Sequence, residues 1–233
     1  MTVFAVFASE VLLASIHLLF GASAFVPVTI YVVAAIIATL VSTPVTFVLG
    51  RQAHELALAQ QDLLRLAETD SLTGLTNRRS FFSHATDVLA AAKLNGRPVT
   101  LMVLDADYFK QLNDTYGHAV GDAGLKFISE SLQQCVRSTD VTCRLGGEEF
   151  AILLPGMNAA DSTPLAKRIV ETISTRPMVH ENKIIEMSVS CGYADTNIAY
   201  DMTRLFKAAD DALYAAKADG RNRAVAHGSS KVA

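Results

Sequence analysis

Two apolar runs open the chain, and a mixed pattern follows them. Residues 3–20 are mostly apolar, and residues 25–50 form a longer run with Pro27 at its start and Pro44 near its end. A helix rises about 1.5 Å per residue, so roughly 20 apolar residues cross a hydrocarbon core of about 30 Å. The second run reaches easily and the first only just. Gly21-Ala22-Ser23-Ala24 between them is short enough to turn a hairpin, and Arg51 follows the second run at once, as a cytoplasmic flank should. The pattern predicts a transmembrane hairpin over 1–50 with both termini in the cytoplasm. A signal peptide ending near Ala22-Ser23-Ala24 is the rival reading, although no basic residue precedes its apolar stretch. Glu10 and His17 share one helix face, either as a polar pair between helices or as a sensor site.

Residues 51–68 contain neither Gly nor Pro, and Leu49, Gln52, Leu56, Ala59, Leu63 and Leu66 recur at alternating steps of three and four. That spacing predicts a coiled-coil stalk, or one amphipathic helix lying on the domain that follows. From there the period changes. Strands are expected at 99–104, 142–145, 150–154 and 184–193, and helices at 121–136, 162–174 and 202–218. Pro164 suits the first turn of the middle helix, and Gly220 ends the last. The order predicts an α+β domain over 69–226, a mostly antiparallel sheet with helices on one face, and a flexible tail at 227–233.

Charge is divided unevenly. Residues 1–50 hold only Glu10, so all 20 basic and the other 22 acidic residues lie beyond, giving that part a net charge of −2. Such a domain lacks the basic field of a nucleic-acid binder. Cys135, Cys143 and Cys191 have no metal-ligand or CxxC spacing and read as reduced core thiols.

The candidate chemistry lies in two acidic loops. Asp105-Ala106-Asp107 ends the apolar strand, where an unpaired carboxylate is costly and a cation is the simplest partner. Gly146-Gly147-Glu148-Glu149 forms a hairpin tip whose glycines let a bulky ligand approach the backbone. Converging, the loops would make a hard-oxygen site for magnesium and substrate phosphates.

Taken together, the motifs resemble the GGDEF family of diguanylate cyclases. Gly146-Gly147-Glu148-Glu149-Phe150 is the GGEEF form of its signature. Asp70-Ser71-Leu72-Thr73, Asp105-Ala106-Asp107-Tyr108-Phe109-Lys110, Asn113-Asp114, Gly117-His118, Gly121-Asp122 and Lys217 with Gly220-Arg221-Asn222 resemble its other segments, in family order over about 68–226. The resemblance implies a palm-like nucleotidyl cyclase fold and condensation of two GTP into cyclic di-GMP by a homodimer, which the apolar runs would anchor in the membrane. It implies magnesium, with manganese as an alternative, at Asp105, Ala106, Glu148 and Glu149, with the two glutamates catalytic. GTP would be held by Phe109, Lys110, Asn113, Asp122, Gly146, Gly147, Lys217 and Arg221. Asn113 and Asp122 would read guanine, a carboxylate accepting from its ring N–H and amino group. Arg137 and Asp140 stand where the family carries an RxxD product-inhibition site, and Arg168 is a further candidate for it. Without the resemblance, Arg137 and Asp140 read as an ordinary i,i+3 ion pair. Asp107 is open between a functional and a structural role, while Asp70, Asn77, Arg78 and His118 read as packing and loop-fixing residues. A receptor that has lost turnover and a cyclase making a cyclic mononucleotide are the alternatives, and the catalytic domain is expected on the cytoplasmic side of the inner membrane.

Overall fold

A computed structural model describes residues 11, 14–15, 28–66, 68–181 and 183–228. The chain divides into two compact units, Met1–Ala67 and Glu68–Ala233.

In the first unit, helix α1 (Val28–Leu66) continues from the second apolar run through Pro44 into the expected stalk without a break. Within it, Ala35–Leu56 is long and apolar enough to cross a membrane, the one such stretch among the described residues. Leu40, Val41, Phe47 and Val48 are exposed on it, an arrangement that suits lipid better than water. Arg51 and Glu55 pair at 3.6 Å near its end, both well exposed. Most of the first apolar run, Glu10 and His17 included, lies outside the described residues.

The second unit is built on a six-stranded mixed sheet in the order β1-β3-β4-β2-β7-β8. Its strands are β1 (Thr76–Asn77), β2 (Val99–Ala106), β3 (Val141–Gly146), β4 (Glu149–Pro155), β7 (Val189–Asp195) and β8 (Ala224–Ala226), while β5 (Met178–His180) and β6 (Lys183–Ile185) form a separate hairpin. The helices are α2 (Arg78–Asn95), α3 (Phe109–Tyr116), α4 (His118–Cys135), α5 (Ala159–Thr175) and α6 (Met202–Ala218). Antiparallel pairs join β2 to β4 and β7, whereas β1–β3 and β7–β8 are parallel.

Every residue of β2 is buried, because helices cover both faces of the sheet rather than one. Met102, Leu104, Phe150 and Ile152 face Leu125, Ile128 and Leu132 of α4 and Ile169 of α5. Leu101, Val103 and Leu153 face Phe81 and Leu89 of α2 and Leu205 of α6. The period-2 alternation thus splits an unbroken apolar run between two cores, each large side chain contributing about 1.5–3 kcal/mol by burial.

Other elements differ from expectation at their ends. Asn158 caps α5 by accepting from the Asp161 amide, so the helix starts earlier and Pro164 falls in its second turn. The strand expected over 184–193 is two, β6 and β7, interrupted at 186–188. All three cysteines are buried and unpaired with one another, and burial pushes the Cys143 and Cys191 thiols up to about 12.

Candidate active site

The site forms where β2 leaves the sheet between its two neighbours. Asp105 lies opposite Glu149 on β4 and Ser190 on β7, and the Ala106 amide donates to the Glu148 carbonyl at 3.2 Å. The β3–β4 hairpin therefore sets its acidic tip beside the end of β2. Gly146 and Gly147 make the turn with positive φ of 137° and 55°, a region that disfavours side chains. Arg144 braces this turn. Its Nε and Nη2 donate to the Gly147 carbonyl at 3.1 and 2.8 Å, while Nη1 bonds Asp70 at 3.2 Å.

Asp105 is 7% exposed and accepts from Lys217 Nζ of α6 at 2.9 Å. Burial holds its carboxyl above the ordinary range, more than the Lys217 bond and charge draw it down. The neighbouring Asp107 adds to the rise and Arg221 opposes it. A buried carboxylate in that state is short of positive charge, and its neighbours Glu148 and Glu149 are half-buried and exposed. This all-oxygen donor set fits a hard divalent cation. Among the described residues, however, no three His, Cys, Asp or Glu side chains already stand together as a metal-binding group.

Asp107 lies two residues on and faces differently. It accepts from Ser190 Oγ at 2.7 Å, from Ser188 Oγ at 2.8 Å and from the Asn222 amide at 3.1 Å. Beside it, Tyr108 carries the Arg221 guanidinium over its ring at 4.7 Å. Tyr108, Arg221 and Asn222 all have positive φ. Left-handed backbone at non-glycine residues costs on the order of 1–3 kcal/mol each and persists only where contacts over-determine it.

On α3, Phe109 is buried and Lys110 exposed. Asn113 Oδ1 is buried without a hydrogen-bond partner among the described residues, and it packs so close to Gly121 of α4 that any side chain at position 121 would displace it. Asp122 follows, exposed. A cleft of about 490 Å³ opens beside α3 between Asp107, Gln111, Thr115, Met187 and Asn222, and neither Lys110 nor Asn113 lines it.

The RxxD residues stand apart, at the C-terminal end of α4. Asp140 Oδ2 accepts from the Arg137 backbone amide at 2.8 Å, so it closes a turn and does not pair with the guanidinium. The Arg137 side chain is exposed and has no partner among the described residues. Arg168 Nη2 donates to the Cys135 carbonyl at 2.7 Å, which brings it to the same helix end.

Arg144, Ser188 and Ser190 carry much of this geometry and were not singled out by sequence. Arg144 had a signal, as a charge within a strand that otherwise reads apolar. The serines had none, because only strand pairing brings them to Asp107.

A mixed sheet with an acid at the end of its central strand and an acidic glycine turn beside it defines a palm-like domain of the nucleotidyl cyclase type. Residues 67–223 match the family described as diguanylate cyclase, GGDEF domain. The response regulator PleD of Caulobacter vibrioides is 39% identical over 165 residues, which are 70% of this chain and 36% of that protein. The GGDEF domain of DgcB from Caulobacter crescentus, solved in complex with c-di-GMP, is similar with a TM-score of 0.66 at 33% identity, over 70% of this chain and 97% of that one. The active GGEEF domain of a Vibrio cholerae diguanylate cyclase gives 0.63 at 30% identity, over 67% and 99%. The chain spans 36% to 55% of the length of PleD and similar curated relatives. It belongs to the GGDEF family of diguanylate cyclases.

Proposed function

We propose that the chain is a membrane-anchored diguanylate cyclase that condenses two GTP into cyclic di-GMP and two pyrophosphates. The observation that carries this reading is the buried Asp105 carboxyl at the end of β2, set in register with Glu149 and bonded through the Ala106 amide to the Glu148 carbonyl. Asp105, the Ala106 backbone, Glu148 and Glu149 would hold magnesium, with manganese as a substitute. The bound ion supplies charge neutralisation at the attacking and leaving oxygens.

The remaining work falls to the chain's own groups. Lys217 and Arg221 would neutralise the triphosphate together with Lys110 and the amides around Phe109, while Gly146 and Gly147 leave room for it. The orphaned Asn113 Oδ1 would accept from guanine, and Asp122 would take the base's ring N–H and amino group. Glu148 would draw the proton from a ribose 3′-hydroxyl as its oxygen bonds to the α-phosphorus of the second GTP and pyrophosphate departs. Done twice, this closes the ring.

One domain offers one such set of groups, and the product has two guanosines. Two chains must therefore face one another, and holding them together supplies effective concentration. A membrane hairpin of residues 1–50 and a stalk of residues 51–68 would provide the pairing, helix α1 running from one into the other, with the domain of residues 69–226 in the cytoplasm. Arg137, whose guanidinium is free among the described residues, would bind product with Asp140 and Arg168 and so restrain synthesis.

The test is direct. The purified chain is incubated with GTP and magnesium and the products are separated by chromatography, beside Glu148→Gln. Cyclic di-GMP from the parent, with at least about a hundredfold less from the variant at unchanged melting temperature, is the expected result. A cyclic mononucleotide, or no turnover with tight GTP binding, would overturn it in favour of a different cyclase or a receptor.

A further inference from the structure

The sequence DxD invites the reading of Asp107 as a second metal ligand, but its carboxylate is already engaged on the other side. Both oxygens are occupied by Ser190, Ser188 and the Asn222 amide, and its own amide donates to the Ser188 carbonyl at 2.9 Å. The contact is double. While Asp107 holds the Asn222 amide, the next residue, Tyr108, holds the Arg221 guanidinium over its ring. Three of these four residues sit in left-handed backbone, as does Gly220 at φ 110°. The loop after α6 thus holds a conformation that its side chains disfavour, and the carboxylate of Asp107 tethers it at the Asn222 amide.

The same loop begins at the end of the helix that sends Lys217 to Asp105, and the Arg221 amide closes back on the Ala216 carbonyl at 3.0 Å. Loss of the tether would let residues 220–222 relax towards ordinary backbone. Arg221 would then swing from Tyr108, while Lys217, held within α6, would stay.

We propose that Asp107 is a positioning residue for nucleotide binding, clamped by Ser188 and Ser190, which fixes Arg221 for the phosphates by holding the Asn222 amide. It acts through Arg221 and touches neither phosphate nor metal. The inference rests on the nucleotide role proposed for Arg221, and its test separates the two.

The full chain in lipid nanodiscs is titrated with a fluorescent GTP analogue, a readout that needs no turnover, and the half-saturating GTP concentration for synthesis is measured in parallel. Asp107→Ala should weaken binding about tenfold and raise that concentration equally, with a smaller fall in kcat. Asp107→Asn keeps an oxygen for Asn222 and an amide that the rotatable serine hydroxyls accommodate, so it should recover to within about threefold of the parent. Joining Asp107→Ala to Arg221→Ala should add nothing to the loss from Arg221→Ala alone, since coupled residues are non-additive. Hydrogen exchange at the Asn222 amide should quicken in Asp107→Ala without any ligand present.

A purely structural role would instead lower the melting temperature and the active fraction while leaving nucleotide affinity unchanged, and that result overturns the proposal. So would losses that multiply in the double variant. Should Asp107→Ala fail to fold, the paired Ser188→Ala and Ser190→Ala substitutions decide, with a threefold or greater weakening expected and an unchanged affinity overturning it. A parent that binds the analogue but makes no cyclic di-GMP removes the proposed activity and leaves the clamp standing.

Discussion

Asp70 and Asp105 are both aspartates close to a basic partner at the same end of the domain, and their surroundings act on them in opposite directions. Burial raises the carboxyl of each. At Asp70 the Thr73 hydroxyl and amide bonds at 2.7 and 2.9 Å, together with Arg144, more than reverse that rise, leaving its carboxyl below the ordinary value of 3.8. At Asp105 the single bond from Lys217 does not, and its carboxyl stays above that value. The first carboxylate is satisfied by its own fold, and its negative charge helps to hold the Arg144 brace behind the turn. The second is left needing a cation. Diverging environments of this kind separate a structural acid from one available for chemistry.

The largest effect should follow from neutralising the unsatisfied partner. Asp105→Asn is expected to cut product formation by at least about a hundredfold, while the melting temperature stays at or above the parent's. The substitution removes a charge that burial disfavours, and the half-exposed Lys217 can turn to water. A melting point lower by more than about 5 °C would make Asp105 structural, like Asp70.

The arginines offer the same contrast. Arg144 is engaged on two sides, and the guanidinium of Arg137 is free among the described residues. Arg137→Ala should raise the cyclic di-GMP concentration for half inhibition about tenfold, the loss of one charged hydrogen bond. An unchanged inhibition curve would return Arg137 to the surface.

Asp70→Ala should behave in the opposite sense to Asp105→Asn. Calorimetry should show a loss of a few degrees at pH 7, with activity falling only about threefold as the turn loosens. Unchanged stability would remove the brace from the account.

The smallest signal, and the sharpest for the comparison, is in pH. A lowered carboxyl contributes stability above 3.8 that is lost as pH falls through its folded value, whereas a raised one contributes below 3.8 and is lost as pH rises. Relative to the parent, Asp70→Ala should therefore melt lower and Asp105→Asn no lower at pH 7; the Asp70→Ala difference should persist down to about pH 3.8 and shrink only below it, whereas the Asp105→Asn difference should shrink as pH falls towards 3.8. An Asp70→Ala gap that closes before pH reaches about 3.8, or an Asp105→Asn gap that widens as pH falls towards that value, would contradict the assigned directions.

Much of this domain is legible in the chain because its signals are local. The unbroken apolar stretch ending in Asp105, the glycine turn and the helix ending near Gly220 all appear where the pattern puts them. What escaped depends on partners distant in sequence. Helices on both sheet faces require knowing that α2 and α6 return to the far side, which periodicity in one segment does not contain. The short strands β1 and β8 have no alternation to read, since each is held by pairing with a longer neighbour. Asp107 was left between two roles because its serines lie across the sheet, and Asp140 resembled an ion-pair partner although it caps a backbone amide.

Gly192 sits in the middle of β7, opposite Val103 of β2. A methyl group there would overlap the backbone of α6 at Ala209 and Leu213, neither of which can retreat as a flexible side chain could. A scan of single substitutions scored by lost activity would therefore mark position 192 as harshly as Glu148. Mutational intolerance alone would place a structural glycine among the catalytic residues. Only a measurement of folding beside one of turnover tells the two apart.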